Sequence, residues 1–327
     1  MRFPRSIPLY LPALATGLAL TVPAIAAAQD YPSKQITIVV PFAAGSGTDQ
    51  LARAYSTAMT AEFKVPVVID DKPGASGMIA AQLVAKAPAD GYTILFTTNT
   101  THAANEHLYK KLPYDPVKDF APVALMSKGY QVMVVTPQAP YTSVANFIAA
   151  ARKEPGKLSF GSGSSSSRVA GEAFKQMTGV DLLHVPYKSN PLALTDLLGG
   201  QITVMWTDMT TGAPMVTSNK LRALAVTSLK RSPQLPNIPT VDEAGVKGYE
   251  SSFWSAAYMP AGTPQAVVKR MSDLLIRATT TAPAVTSLAT TTGAEPATMG
   301  PEGLAKFQLE ESAKWGRIIK AAGIVPE

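Results

Sequence analysis

The chain has 327 residues, no cysteine, 46% hydrophobic residues and a formal net charge of +6. The missing cysteines exclude disulfides, thiolate metal sites, cysteine nucleophiles and a lipid-anchored N-terminal cysteine. Twenty-nine basic against 23 acidic side chains, with no Lys/Arg cluster, give a mild basic excess that suits a small anionic ligand and leaves no footprint for nucleic acid.

Arg2 and Arg5 precede an apolar stretch from Ile7 to about Pro23, and the small-residue run Ala24-Ile25-Ala26-Ala27-Ala28 follows. That order describes a secretory signal peptide at 1–28, cut after Ala28. Ser6 to Ala28 is nearly long enough to span a membrane, but Pro8, Pro12 and Pro23 interrupt a helix and the alanines offer a cleavage site. No second apolar run of that length follows, so the mature chain is expected to be soluble. With no disulfide it must be held by its core alone, and chains of this size bury roughly three quarters of their unfolded surface. The length favours two domains over one.

Gln35 to Phe42 is a nearly continuous β-branched run, as expected of a strand buried on both faces. It ends in the Gly-rich stretch Ala43 to Asp49, and a helical pattern follows with Leu51, Ala54, Tyr55, Met59 and Phe63. A second strand (Val65 to Asp70), a short helix (Met78 to Ala87) and a third strand (Tyr92 to Thr98) complete a βαβαβ unit, which implies a parallel sheet. The middle repeats this grammar. Strands are expected at Gln131–Val135, Leu158–Gly161, Leu182–Pro186, Ile202–Trp206 and Leu221–Thr227, and helices at Val144–Lys153, Ser166–Met177, Leu192–Leu198 and Ala213–Ser218. One more strand, Ser251 to Met259, precedes three helices starting near Pro264, Ala282 and Pro301, with the threonines at Thr279–Thr281 and Thr290–Thr292 read as connectors. The fold class is α/β, with two lobes of similar size and a ligand cleft between them.

The loop from Phe42 to Asp49 is the sharpest local feature. A Gly-rich turn between a buried strand and a helix presents unpaired N–H groups at the positive helix end, which makes an anion seat, with Thr48 or Asp49 as the N-cap. An ordinary capped turn explains the same residues. A dinucleotide fingerprint does not, because Gln50 stands where the third glycine belongs. Gly161 to Arg168 offers a second seat of the same kind. No G-x-S-x-G elbow occurs to make one of its serines a nucleophile. His102 and His107 do not share a helical face, His184 sits in an apolar strand, and no P-loop or metal-ligand cluster is present. Arg168 falls in the first turn of a helix, where the dipole disfavours a cation. It implies a nearby anion, either a neighbouring carboxylate or a second carboxylate on the ligand; a solvent-facing arginine is the plainer alternative.

These segments resemble the Bug family, the TctC-like substrate-binding proteins of tripartite tricarboxylate transporters, from Tyr31 to about Gly323. The resemblance is carried by Val39-Val-Pro-Phe-Ala-Ala-Gly-Ser-Gly-Thr-Asp49, Lys72-Pro-Gly-Ala-Ser-Gly77, Pro88-Ala-Asp-Gly-Tyr-Thr93, Tyr114 to Val123, His184-Val-Pro-Tyr-Lys188, Thr195 to Gln201, Lys220 to Ser228 and Pro239 to Gly245, in the family's order. It implies a periplasmic protein of two-lobed periplasmic-binding fold, with two parallel-type sheets flanked by helices. The implied lobes are 29–128 plus 253–327, and 129–252. It implies a solute-binding protein that captures a small mono-, di- or aromatic carboxylate for a membrane transporter, not an enzyme, with no cofactor or metal. The partners are the transporter's membrane subunits, with no nucleic acid, and the protein is expected to be a monomer. Carried over by position, the ligand contacts are Phe42, Ala44, Gly45, Ser46 and Thr48, with Thr98 or Asn99 nearby. From the second lobe come Ser164 or Ser165, with Tyr187, Lys188 and Asp208. Ser46, Ser189, Thr207 and Arg168 depart from the family's usual residues, which bears on the ligand's identity. An exported serine- or carboxylate-type hydrolase and a ligand sensor feeding a signalling system are the alternatives.

Overall fold

The computed structural model describes Met1, residues 31–292 and residues 294–327. The expected signal peptide, Met1 aside, lies outside the described residues. β1 (Ile36–Val40) lies between β2 (Val67–Asp71) and β3 (Thr93–Thr98), parallel to both, with Ile38 opposite Ile69 and Ile94. Ile36, Ile38, Val39 and Val40 are at most 1% exposed, which is why that run is apolar without alternation. Between β1 and β2 runs α1 (Gly47–Phe63), which turns Leu51, Ala54, Tyr55 and Met59 inward at helical spacing and ends at Lys64 in the left-handed region. Helix α2 (Met78–Ala85) leads to β3. Beyond it the chain makes a π-helical turn at Thr100–Ala104 and a short helix, α3 (Asn105–Leu108).

The largest departure from the sequence reading is β4. It runs from Phe120 to Val135, sixteen residues, where only Gln131–Val135 was expected. Pro122, Ser127, Lys128 and Gly129 hide the pattern, and the register with β9 shifts between Pro122 and Ala124 and between Leu125 and Ser127. Up to Tyr130, β4 pairs with β9 (Ser252–Pro260); from Gln131 it pairs with β7 (Val204–Asp208), and from Val132 also with β8 (Arg222–Val226). One strand therefore serves two halves of the sheet.

In the second half, β5 (Ser159–Ser162) lies parallel to β6 (Leu183–Pro186) and to β7. The helices there are α4 (Val144–Lys153), α5 (Ser165–Thr178), α6 (Asn190–Leu198) and α7 (Met209–Thr217). The full strand order is β2-β1-β3-β9-β4-β7-β5-β6, with β8 and an unexpected strand β10 (Glu295–Met299) pairing β4. The parallel expectation holds for β1–β3 and β5–β7, while β4 and β9 run antiparallel to their neighbours. These two strands carry the chain across and back without needing a helical crossover.

The chain ends with α8 (Gln265–Thr281), α9 (Pro283–Thr292) and α10 (Pro301–Ala321). Leu304, Trp315 and Ile319 of α10 join the first half's core with Leu95, Leu108, Tyr114 and Trp254. The second half has cores on both sheet faces, one around Phe147, Phe160, Phe174 and Trp206 and one around Val134, Leu194 and Met205. The threonine stretch Thr279–Thr281 is no connector. It is the last turn of α8, and the Thr279 hydroxyl lies 2.7 Å from the Tyr55 hydroxyl in the buried seam with α1.

Candidate functional site

The first-strand loop is organised by one reciprocal cap. Gly45 takes φ +80°, which glycine adopts without strain, and its N–H donates to Asp49 Oδ2 at 2.7 Å. The Asp49 N–H donates to Ser46 Oγ at 3.3 Å. Ser46, in extended conformation, is therefore the N-cap, not Thr48 or Asp49, which are already helical. Asp49 also meets Arg53 Nε at 2.8 Å one turn on. This changes the expected anion seat. The Gly45 N–H is spent on Asp49, and the Gln50 N–H on Ser46 O, so the groups left at this helix end are the N–H of Gly47 and Thr48.

Across the cleft the serine loop builds a second end of the same kind. Ser164 caps α5 by accepting from the Ser167 N–H, and Ser167 Oγ accepts from the Gly163 N–H at 3.1 Å. The helix starts at Ser165, leaving the N–H of Ser165 and Ser166 at its mouth. Gly163 is required here, since a Cβ on it would lie 2.1 Å from the Asn190 nitrogen. That contact brings the start of α6 alongside. The fourth helix start is capped by Asp208, whose carboxylate accepts from the Thr211 N–H (2.9 Å), the Thr211 hydroxyl (2.5 Å) and Asn190 Nδ2 (2.7 Å).

Residues from all four helix starts line one cavity of about 70 Å³, several times what a water molecule needs. Of the residues expected from sequence, Phe42, Ser46, Thr48, Thr98, Ser164 and Asp208 line it. Ala44 and Gly45 are exposed and do not. Asn99 and Ser165 are buried and join the two halves of the sheet. Ser165 Oγ donates to Asn105 Oδ1 at 2.9 Å, and Ser166 Oγ donates to Asn99 Oδ1 at 3.2 Å.

Arg168, Tyr187 and Lys188 line a second, adjoining pocket that shares Phe42, Gly163 and Ser164 with the first. Their polar ends are turned to protein or to solvent. Arg168 Nη2 lies 2.7 Å from Glu327 Oε1, so the anion facing Arg168 is a neighbouring carboxylate. The Tyr187 hydroxyl donates to Asp196 at 2.8 Å, and Lys188 is exposed.

Gly47, Leu51, Met126, Gln131, Asn190, Phe253, Val285 and Leu288 also line the main cavity and were not singled out in the sequence. They come from α1, β4, β9, α9 and the start of α6. Only Asn190, behind Ser189 at a helix start, carried a local signal. Gln131 and Asn190 are 1% and 8% exposed, and Gln131 Oε1 and Asn190 Oδ1 have no hydrogen-bond partner among the described residues.

Sequence reading also missed a serine–histidine pair in the adjoining pocket, where Ser162 Oγ lies 2.6 Å from His184 Nε2. Burial, with Arg168 nearby, holds His184 down to about 4, so it is neutral at neutral pH. A hydrolytic triad needs a carboxylate on the other ring nitrogen, and no such bond occurs among the described residues. Nor, among those residues, does any group of three or more His, Asp or Glu stand ready to hold a metal ion. No described helix is long and apolar enough to cross a membrane.

Comparison with known proteins identifies the family. Residues 51–324 match the model of the TctC family, described as the tripartite tricarboxylate transporter family receptor. The chain is 30% identical over 313 residues to the protein BugT of Bordetella pertussis, covering 94% of this chain and 96% of that one. A protein of R. palustris solved with adipate superposes with a TM-score of 0.88 at 38% identity, over 91% of this chain and all of the other. MatC from Rhodopseudomonas palustris, solved with bound malate, gives a TM-score of 0.84 at 30% identity, over 88% of this chain and all of MatC.

Proposed function

The chain belongs to the tripartite tricarboxylate transporter receptor family, and on that premise we propose that it works in the periplasm. There it captures a small carboxylate and hands it to the membrane subunits of a tripartite tricarboxylate transporter. One observation carries the reading. Four helices begin at a single cavity, and two of them leave first-turn N–H groups, at Gly47–Thr48 and Ser165–Ser166, with no acceptor among the described residues. Such ends bind an anion through aligned dipoles and N–H donors. The relatives solved with adipate and malate support a carboxylate as that anion.

In this reading the lobes are 29–128 plus 253–327, and 129–252, hinged where β4 and the segment before β9 pass between them. The carboxylate sits between the Gly47–Thr48 and Ser165–Ser166 N–H pairs. Phe42, Ser46, Thr98 and Ser164 wall it in, and Ser165, Ser166, Asn99 and Asn105 lock the lobes together. The protein acts as a monomer, since the site is complete in one chain. A thermal-shift screen tests this. Mono- and dicarboxylates are run beside their amides, and the cognate acid at a hundredfold over its Kd should add about 2.7 kcal/mol to stability. A sugar or neutral amide that stabilises while every carboxylate fails would refute it.

A further inference from the structure

Two buried acceptors stand idle in the main cavity. Gln131 and Asn190 are 1% and 8% exposed and line it, and neither Gln131 Oε1 nor Asn190 Oδ1 has a partner among the described residues. Both gather around Asp208, the one carboxylate lining the cavity among those residues. Gln131 stands directly opposite Asp208 in the β4–β7 ladder, so the two side chains share a face, with Cβ atoms about 5 Å apart. Asn190 Nδ2 donates to Asp208 Oδ2 at 2.7 Å, and a Cβ on Gly47 would lie 2.8 Å from Asp208 Oδ1. The corner therefore adjoins the start of α1, where the cap leaves the N–H groups of Gly47 and Thr48. Asp208 Oδ1 accepts twice from Thr211, while Oδ2 accepts only from Asn190 and keeps a lone pair.

We infer that the solute is a 2-amino carboxylate, its carboxylate at the helix starts and its ammonium among Gln131 Oε1, Asn190 Oδ1 and Asp208 Oδ2. The inference rests on the carboxylate reading above and adds the group beside that carboxylate. An ammonium loses its hydration on entry, and it is held only where an opposite charge stands close and each N–H finds an acceptor. Asp208 is that charge, and three acceptors match three N–H donors. A hydroxyl has one proton and would leave an acceptor unpaired. A bare hydrogen in that place would leave both amide oxygens unpaired, at a further cost in binding. The zwitterion also meets opposite signs at its two groups, the positive helix starts and the Asp208 carboxylate. Adipate and malate, the solutes of the two solved relatives, carry no ammonium.

Titration calorimetry on the whole mature protein tests this with three series that differ only at a carbon next to the carboxylate. They are alanine, lactate and propanoate; aspartate, malate and succinate; and phenylalanine, 3-phenyllactate and 3-phenylpropanoate. In at least one series the amino acid should bind at least tenfold more tightly than both its counterparts. Asp208→Asn, which keeps an oxygen for the Thr211 cap, should bring that preference down to about twofold. Gln131→Met, which leaves the cap untouched, should reduce it at least threefold. A hydroxy or unsubstituted acid equal to or tighter than the amino acid in every series would overturn the inference, as would a preference unchanged in Asp208→Asn. Failure of all three amino acids to bind would overturn it too. The 1-carboxamide of the tightest amino acid matching that amino acid would overturn it by another route, through the carboxylate seat on which it rests, while leaving the ammonium corner in place.

Discussion

Replacing Gly47 with alanine should separate binding from folding. Gly47 opens α1, and an added Cβ would lie 2.8 Å from Asp208 Oδ1 and 3.3 Å from both Asp208 Cγ and Thr210 Cβ, across the cleft. Ordinary contact for such atoms begins near 3.5 Å, so something must move. The Asp208 carboxylate does not swing aside freely, since Asn190 and Thr211 donate three hydrogen bonds to it. Giving up that cap costs about 1 kcal/mol; forcing the atoms into place costs about 1–3 kcal/mol. Within α1 itself the change is harmless, because alanine is the better helix residue. The penalty falls on the state in which the lobes meet, so affinity should drop about 5- to 150-fold. Calorimetry with the best acid from the screen, beside the melting of ligand-free protein, reads both quantities. Gly45→Ala is the contrasting case: φ is +80° with nothing within 4 Å, so it should cost about 1 kcal/mol of stability through backbone strain alone. Wild-type affinity, within twofold, in Gly47→Ala would refute the argument that this contact belongs to the bound state.

His102 should make the protein acid-sensitive. It is wholly buried, stacked on Tyr258 at 3.8 Å, and burial lowers it to about 3. An unfolded histidine titrates near 6.5, so its contribution is complete above that pH and is lost as pH falls toward 3, at up to about 1.4 kcal/mol per unit. Denaturant titrations should show His102→Gln losing about 2.5 kcal/mol less than wild type between pH 6.5 and 4.5; parallel curves would contradict the assignment. Arg168→Gln should change the affinity of mono- and dicarboxylates less than twofold, because Glu327 already occupies the guanidinium. A tenfold selective loss for a dicarboxylate would place Arg168 on the ligand.

Where caps and periodicity agree, the elements were legible to the residue. The helix expected at Val144–Lys153 and the start expected near Pro301 are both reproduced, behind the Ser143 cap and with Pro301 in the first turn. Phe120–Tyr130 was not legible, because Pro122 and Gly129 stand inside the strand, and only pairing with β9 makes the segment extended. The site divides along the same line. Its glycine- and serine-rich helix starts are local, and the sequence marks both. Which N–H groups remain free depended on Asp49 turning back to Gly45, a choice invisible from residue spacing. The rest of the cavity wall was beyond reach, since Leu51, Met126, Phe253 and Val285 meet only through the fold. For Arg168 the sequence left a neighbouring carboxylate, a ligand carboxylate and a solvent-facing side chain open, because its partner Glu327 stands 159 positions away and is brought close by backbone bonds to Leu108 and Lys110.

A crystal structure of the mature protein with its tightest-binding carboxylate tests the central claim most directly. The account predicts carboxylate oxygens within hydrogen-bond distance of the Gly47 or Thr48 N–H on one side and the Ser165 or Ser166 N–H on the other, with no cationic side chain in contact. A carboxylate bound instead to Arg168 or Lys188 in the adjoining pocket, with those N–H groups on protein or water, would contradict it.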